Sequence, residues 1–374
     1  MPAFDFNRAP FLVIWETTRA CALACVHCRA DAIPRRDPRE LTTEEGFRLI
    51  DQIAGFGDSP PLFVLTGGDP MRRPDLVDLV RYAASRSLIV ALTPSGTAAA
   101  TPRKLRELKE AGLSRIAVSL DGADAATHDA FRGVRGSYDW TMKIIRAAEE
   151  LGLPLQINTT VSRLTLPSLE ALAQRVKAFN VALWAVFFLV RTGRGASLDQ
   201  VTAEQCERVL TWLYDLSLIA PFGIKTTEAP HFHRVIWQRE RELGGDRVAC
   251  STRRRSLLRA PRSVTDGNGF VFVDHLGDIC PSGFLPVARG NVRTTDLAAV
   301  YRDDEIFQRL RDYDALSGKC GRCEFRAICG GSRARAYAAT GSLVASDPLC
   351  TYDPGPSVRQ PISMTVEQHG PAAP

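Results

Sequence analysis

Apolar and polar positions follow two alternating periods along the first part of the chain. Short, nearly continuous apolar runs lie at "FLVIWE" (11–16), "PLFVLT" (61–66), "LIVALT" (88–93), "RIAVSL" (115–120), "LPLQINTTV" (153–161) and "LWAVFFL" (183–189). Their length and β-rich content predict strands covered on both faces, as in a parallel sheet. Between them the apolar residues fall at helical spacing. "TTEEGFRLIDQIAGFG" opens on a capping box, Thr42 with Glu45, and sets Phe47, Ile50 and Ile53 at helical spacing. "DLVDLVRYAAS", "PRKLRELKEAG", "YDWTMKIIRAAEELG", "SLEALAQRVKAF" and "TAEQCERVLTWLYDLSL" continue the series. Six strand–helix units in order predict an α/β fold with a parallel sheet, either open or curled into a partial barrel.

Near residue 221 the pattern changes. "EAPHFHR" reads as irregular, and "DGNGFVFVDHLGDICPSGF" as a hairpin with Gly-rich turns. The expected division is a core domain over 1–220, a connecting segment over 221–260, a small Cys-rich domain over 261–355 and a loose Pro- and Gly-containing tail over 356–374. No internal repeat is visible. The longest apolar run, "VALWAVFFLV", is well short of the ~18 residues of a membrane span. The opening residues lack the basic stretch and long apolar core of a signal peptide.

Composition narrows the class. The 45% hydrophobic and 24% charged content of the 374 residues is that of a folded protein. A net charge of +5 is a mild excess and does not argue for nucleic acid. The one basic run, Arg253 to Arg255, reads as a solvated face or as a contact for an anionic substrate. Ten cysteines without a targeting segment point to a cytoplasmic, reducing compartment, and to metal or redox chemistry rather than disulfides.

The cysteines fall into two sets. "RACALACVHCRA" places Cys21, Cys25 and Cys28 in a C-x3-C-x2-C loop. Tetrahedral zinc takes four ligands, and no local fourth is obvious; His27, beside Cys28, would chelate the same ion poorly. Three thiolates suit a cubane cluster with one iron left open. The loop follows the first strand, at the edge of the sheet where α/β proteins place their chemistry. The next strands end in motifs of their own: "LTGGDP" with Gly67, Gly68, Asp69 and Pro70; "LTPSGT" with Ser95; "VSLDG" with Ser119 and Asp121; "INTTV" with Asn158; "RTGRG" with Arg194. Each alone reads as an ordinary βα turn; together they mark one functional edge. The second set, Cys320, Cys323, Cys329 and Cys350, has the spacing C-x2-C-x5-C-x20-C and suits zinc or an iron–sulfur cluster. Cys206 reads as structural and His128 as a surface residue. Glu228, His231 and His233, between the expected domains, are candidates for catalysis in a substrate pocket.

In these motifs the chain resembles the radical S-adenosylmethionine (SAM) enzymes over roughly residues 11–220. The resemblance implies a [4Fe–4S] cluster on Cys21, Cys25 and Cys28. Its open iron would bind SAM, and one-electron reduction, from a donor such as a ferredoxin or flavodoxin, would yield a 5′-deoxyadenosyl radical. It implies SAM contacts at Gly67, Gly68, Asp69 (for the more common Glu), Pro70, Ser95, Ser119, Asp121, Asn158 and Arg194. The C-terminal cysteines resemble the SPASM extension, which implies an auxiliary [4Fe–4S] cluster on Cys320, Cys323, Cys329 and Cys350. Cys280 stands where such proteins have a hairpin cysteine that ligates a further cluster. Only Cys250 and Cys280 remain for that cluster, and Ser332 stands where relatives read a cysteine, so one complete auxiliary cluster is expected and a second incomplete or absent. The expected fold is a partial (β/α)6 barrel of the radical SAM type with a small C-terminal Cys-rich SPASM-like α+β domain.

"WETTRACALACVHCRA", "FFLVRTGRG" and "CGGSRARAYAATG…DPLC" resemble the SPASM proteins of alternative haem and haem d1 biosynthesis, enzymes that remove or oxidise carboxylate side chains of iron porphyrins. That gives Arg253 to Arg255, and the Arg333 and Arg335 pair, a use in holding substrate carboxylates. It also lets the His231 and His233 segment approach the porphyrin iron. The second reading is a peptide maturase acting on a ribosomally made peptide. Those enzymes often carry an N-terminal winged helix, for which a first strand at residue 11 leaves no room. A non-enzymatic zinc scaffold or electron carrier leaves the shared edge of thiols and glycines unexplained.

Overall fold

Each of the six apolar runs forms a strand: β1 (Leu12–Glu16), β2 (Leu62–Thr66), β3 (Val90–Leu92), β4 (Leu113–Ser119), β5 (Leu155–Val161) and β6 (Val181–Phe188). The computed structural model describes residues 5–57, 60–242 and 263–362. Between the strands run α1 (Thr43–Ala54), α2 (Leu76–Ser85), α3 (Pro102–Glu110), α4 (Ala125–Arg132), α5 (Ser137–Glu150) and α6 (Leu169–Lys177), with α7 (Ala203–Ile219) after β6. The capping box of α1 forms as expected: Thr42 Oγ1 accepts from Glu45 N at 3.2 Å and Glu45 Oε2 from Thr42 N at 2.9 Å. Alternate strand residues, among them Trp15, Phe63, Val118, Ile157 and Trp184, are buried in one core with Leu49, Leu79, Ile144, Leu172 and Leu213 of the helices. The other alternate positions face inward.

Two parts of the chain differ from the expectation. The stretch after residue 221 is not irregular. Gly223–Thr227 forms β7, parallel to β6, and "HFHR" opens α8 (His231–Glu242) directly after Pro230. The strand is short and polar, and a proline before a histidine pair reads as a break, so neither signal reaches the usual thresholds. The hairpin expected near 270–280 forms from β8 (Phe270–Val273) and β9 (Ile279–Cys280), but β8 also pairs in parallel with β1. The result is one nine-stranded sheet in the order β7-β6-β5-β4-β3-β2-β1-β8-β9. Four helices follow: α9 (Leu297–Asp303), α10 (Glu305–Arg311), α11 (Gly318–Arg322) and α12 (Arg333–Thr340).

The sheet curls. Arg194, after β6, donates its backbone N–H to Cys28 O at 3.0 Å, so the loops that leave β1 and β6 meet across the strands between them. Phe187 of β6 lies 6.4 Å, ring to ring, from Phe284, just beyond β9. Arg335 of α12 reaches Phe188 O and Glu228 O at the ends of β6 and β7. The inward face is therefore concave, and the C-terminal elements stand over its rim. Among the described residues no helix is long and apolar enough to cross a membrane.

Candidate active site

The three-thiol loop begins where β1 ends. Leu23 N donates to Cys21 Sγ at 3.3 Å, and Ala32 N to Cys28 Sγ at 3.4 Å. Ser95 Oγ lies 3.5 Å from Cys21 Sγ and donates to Gly68 O at 2.6 Å. Arg132 Nη1 approaches Cys25 Sγ at 3.7 Å. Burial raises the pKa of both Cys21 and Cys25, with Arg132 opposing it at Cys25. Thiols placed this way are costly to ionise alone and favourable to ionise onto a metal. N–H donors aimed at sulfur are the outer contacts that hold thiolate ligands.

Three elements grip this loop. The first is the Gly67–Gly68 turn after β2. Gly68 N donates to Thr18 O and Asp69 N to Ala20 O, both at 2.7 Å. A Cβ at either glycine would come within 2.5 Å of the Thr18 or Arg19 carbonyl, so only glycine fits. Asp69 is buried and works inward: it accepts from Thr97 Oγ1 at 2.7 Å, from Met71 N at 3.2 Å and from Ser95 N at 3.4 Å, and so caps the short turn that starts at Pro70. The second is the "RTGRG" segment. Arg194 donates to Cys25 O at 2.9 Å and Ala32 O at 3.0 Å. The third, which sequence reasoning missed, is the end of α4. Val26 N donates to Phe131 O, Ala24 N to Arg132 O, and the His27 ring stacks on Phe131 at 4.0 Å. An arginine at a helix C-terminus carries no signal in the sequence that sets it apart.

Arg132 explains Asp121. One carboxylate oxygen of Asp121 accepts from Arg132 Nη2 and the other from Thr160 N at 2.7 Å. Burial pushes this carboxyl up, but Arg132 and its neighbours hold it below its ordinary value. Both oxygens are thus engaged within the protein. His128, expected at the surface, is buried: its Nδ1 accepts from Asp121 N at 3.2 Å, and burial lowers its pKa to about 4. Ser119 and Asn158 are half-buried, paired in register on the concave face, and Asn158 Oδ1 accepts from Gln156 Nε2 at 2.7 Å. A second missed group ties the loop to the hairpin: Glu16, buried at the end of β1, binds Arg29 at 2.7 Å and His275 at 3.1 Å. A buried acid beside the cysteine loop, in "WETT", was the available signal.

The second thiol set also converges. Cys320, Cys323, Cys329 and Cys350 line one small cavity together with His231, Arg234 and Asp347. Arg333 Nη2 lies 3.9 Å from Cys320 Sγ. Among the described residues no three such side chains close around a single ion; the thiols of a cubane instead sit on separate irons. Cys280 does not join them. It is buried in β9, opposite Phe272, and burial raises its pKa to about 12. Cys206 is buried in the core, as expected. Cys250 and Arg253 to Arg255 lie outside the described residues.

The expected substrate contacts are redistributed. His231 Nε2 lies 3.3 Å from Asp347 and faces the four-cysteine cavity. Burial lowers the pKa of His233 to about 4. Arg333 and Arg335 are buried and not free for a ligand: Arg333 donates to Leu343 O and Ala345 O, Arg335 to Asp347 at 3.0 Å and to Glu228 O. Glu228 closes β7 with a positive φ of 58°, a conformation that costs a non-glycine residue energy. Its carboxylate accepts from Ser332 Oγ, and burial, with Asp266 nearby, raises its pKa.

A radical SAM superfamily model matches residues 15–176. The AdoMet-dependent heme synthase of Methanosarcina barkeri is 39% identical over 93% of this chain and 98% of its own length. The chain belongs to the radical SAM family. The AdoMet-dependent heme synthase of Oleidesulfovibrio alaskensis is 40% identical over 94% of this chain and 89% of its own. Among solved structures, Streptococcus suis SuiB bound to its precursor peptide SuiA superposes with a TM-score of 0.68 at 17% identity, over 92% of this chain and 76% of that one. This radical SAM protein is an enzyme, and its cofactors are SAM and the [4Fe–4S] cluster that binds it; the second thiol set suits an auxiliary cluster. The two thiol sets fit them: each is gathered in one place, and the donors at Cys21, Cys28 and Cys25 point to sulfur.

Proposed function

We propose that this radical SAM enzyme, of oxidoreductase or lyase type, oxidatively decarboxylates carboxylate side chains of an iron porphyrin in haem-type biosynthesis. The observation that carries the reading is the likeness to AdoMet-dependent heme synthases, 39% identity over 93% of this chain and 98% of the relative. When bound, SAM and the loop cluster supply a 5′-deoxyadenosyl radical that takes a hydrogen atom from the substrate. Loss of carbon dioxide, with transfer of one further electron to a one-electron acceptor such as an oxidised ferredoxin or flavodoxin, would then turn a propionate into a vinyl group.

The chain's own residues divide the work as follows. Cys21, Cys25 and Cys28 hold the SAM-binding cluster, and Cys320, Cys323, Cys329 and Cys350 the auxiliary one. Gly67, Gly68, Asp69, Pro70 and Arg194 hold the loop in place, and Asp121 does so through Arg132. Ser95, Ser119 and Asn158 are the polar side chains left to meet SAM. Glu228, strained and protonated more readily than an ordinary glutamate, is the acid–base candidate at the rim. His231 and His233 act in support of it. A ferredoxin or flavodoxin supplies the electron, in the cytoplasm, where the nine described cysteines, none of them in a disulfide, stay reduced. The peptide-maturase reading has weaker support: the PqqA peptide cyclase of Bradyrhizobium diazoefficiens at 27% identity over 92% of this chain, and the fold likeness to SuiB.

The test is anaerobic turnover of iron coproporphyrin with SAM and a reductant. The expected result is a Soret change on mixing and a product lighter by carbon dioxide and two hydrogen atoms per side chain. Neither a Soret change nor a mass loss would move the assignment to a peptide substrate.

A further inference from the structure

The concave face of the sheet carries small residues at several inward positions, which leaves it a hollow at mid-height rather than a filled layer. A closed β/α barrel fills its interior with layers of bulky branched side chains. Here the inward positions include Ala91, Ala117, Ala185 and Gly223, which alternate with outward-facing core residues along their strands. One register row runs Ser119, Asn158, Ala185, Lys225 across β4 to β7. Only the methyl group of Ala185 separates Asn158 from Lys225, which are two strands, about 10 Å, apart.

Of the arginines that the sequence offered for substrate carboxylates, Arg253 to Arg255 lie outside the described residues, and Arg333 and Arg335 bond internally, as do Arg29, Arg132 and Arg194. Lys225 is different. It is half-buried, and among the described residues it makes no hydrogen bond or ion pair. Arg115 of β4 shares the inward parity of Ala117 and Ser119 and likewise has no such partner among the described residues. Two inward acids are neutralised elsewhere, Glu16 by Arg29 and Asp121 by Arg132, and Glu228, beyond the end of β7, accepts from Ser332. A cation withdrawn from water without a counter-charge is unfavourable until an anion arrives.

We propose that Lys225, with Arg115 beside it in the hollow, forms the subsite that binds a carboxylate side chain of the substrate. The inference rests on the porphyrin reading above. It is supported by the electrostatics of the pair: burial, with Arg115 adding to it, lowers the Lys225 pKa to about 8, the response of an amine that lacks its anion.

The experiment uses the anaerobically reconstituted holoprotein and its Lys225→Met, Lys225→Arg and Arg115→Met variants. Iron coproporphyrin is titrated by its Soret band, beside iron mesoporphyrin, in which ethyl groups replace part of the carboxylate side chains. Equilibrium dialysis measures SAM. Loss of one charged hydrogen bond predicts a roughly ten- to hundred-fold weaker coproporphyrin affinity for Lys225→Met. Arg115→Met, exposed and safe for folding, should lose several-fold, and Lys225→Arg should recover most of the affinity. The parent should prefer coproporphyrin to mesoporphyrin, and Lys225→Met should not. SAM should bind all four proteins alike. Unchanged coproporphyrin affinity in Lys225→Met overturns the subsite while leaving the porphyrin reading intact. Weakened SAM binding with unchanged porphyrin binding assigns the amine to the SAM carboxylate and overturns it too. A parent that binds neither porphyrin overturns the reading and the subsite together.

Discussion

At the residue scale, the site is built from charges that are committed to one another. Asp121 is buried and Arg132 nearly so, and Arg132 also reaches Cys25 Sγ. Asp121→Asn leaves the guanidinium without its counter-charge and should cost about 3–5 kcal/mol in urea unfolding. The double variant with Arg132→Met should lose clearly less than the sum of the two single losses; additive losses would mean that the pair does not interact. Glu228 gives a pH dependence. Its carboxyl is raised from the ordinary 4.5 by burial, so between that value and its folded value the native state holds a proton that the unfolded state has released. Stability must then fall as the pH rises through that window, about 5 to 8, and level off above it. Glu228→Gln removes the proton exchange, so its thermal midpoint should vary less with pH over the same range. Parallel curves for the two proteins would show that another group controls the slope.

At the element scale, the grip of the β6 loop on the thiol loop is the most exposed to test. A Cβ at Gly193 would lie 2.4 Å from Arg29 O and 2.5 Å from Cys28 O, at a φ of +52°. Both neighbours are backbone and cannot swing away. Gly193→Ala should therefore shift the loop, lowering the iron retained there by at least half, while the far-UV spectrum stays that of the parent. Retention of full iron would mean that the loop does not need this docking. The same scale shows what the sequence made legible. Six strands and their helices were visible because each is buried on both faces or amphipathic, and the thiol sets because their spacing is chemical. β7 was hidden by its polar inward residues, Lys225 and Thr227, which belong to the hollow rather than to a core. The partnership of β8 with β1 was hidden because strand adjacency across some 250 residues leaves no local pattern. His128 was misplaced for a related reason: its partner is a backbone N–H seven residues away, on another element.

At the scale of the whole molecule, α12 ties the four-cysteine cavity to the rim of the sheet. Arg335 bonds Asp347, beside the four-cysteine cavity, and the carbonyls of Phe188 and Glu228, at the strand ends. Arg335→Met should leave Asp347 buried without its cation, cost about 3–5 kcal/mol and loosen the C-terminal cysteines before the sheet. Loss of auxiliary iron at a denaturant concentration where the loop cluster persists would show this; simultaneous loss of both would contradict it.

The most direct measurement is the iron and sulfide content of the anaerobically reconstituted protein, set beside its Cys21/Cys25/Cys28→Ala variant. Two cubanes, one on each thiol set, predict about eight irons in the parent and about four in the variant. About four and none would remove the cluster from Cys320, Cys323, Cys329 and Cys350. No iron in either protein would contradict the account at its root.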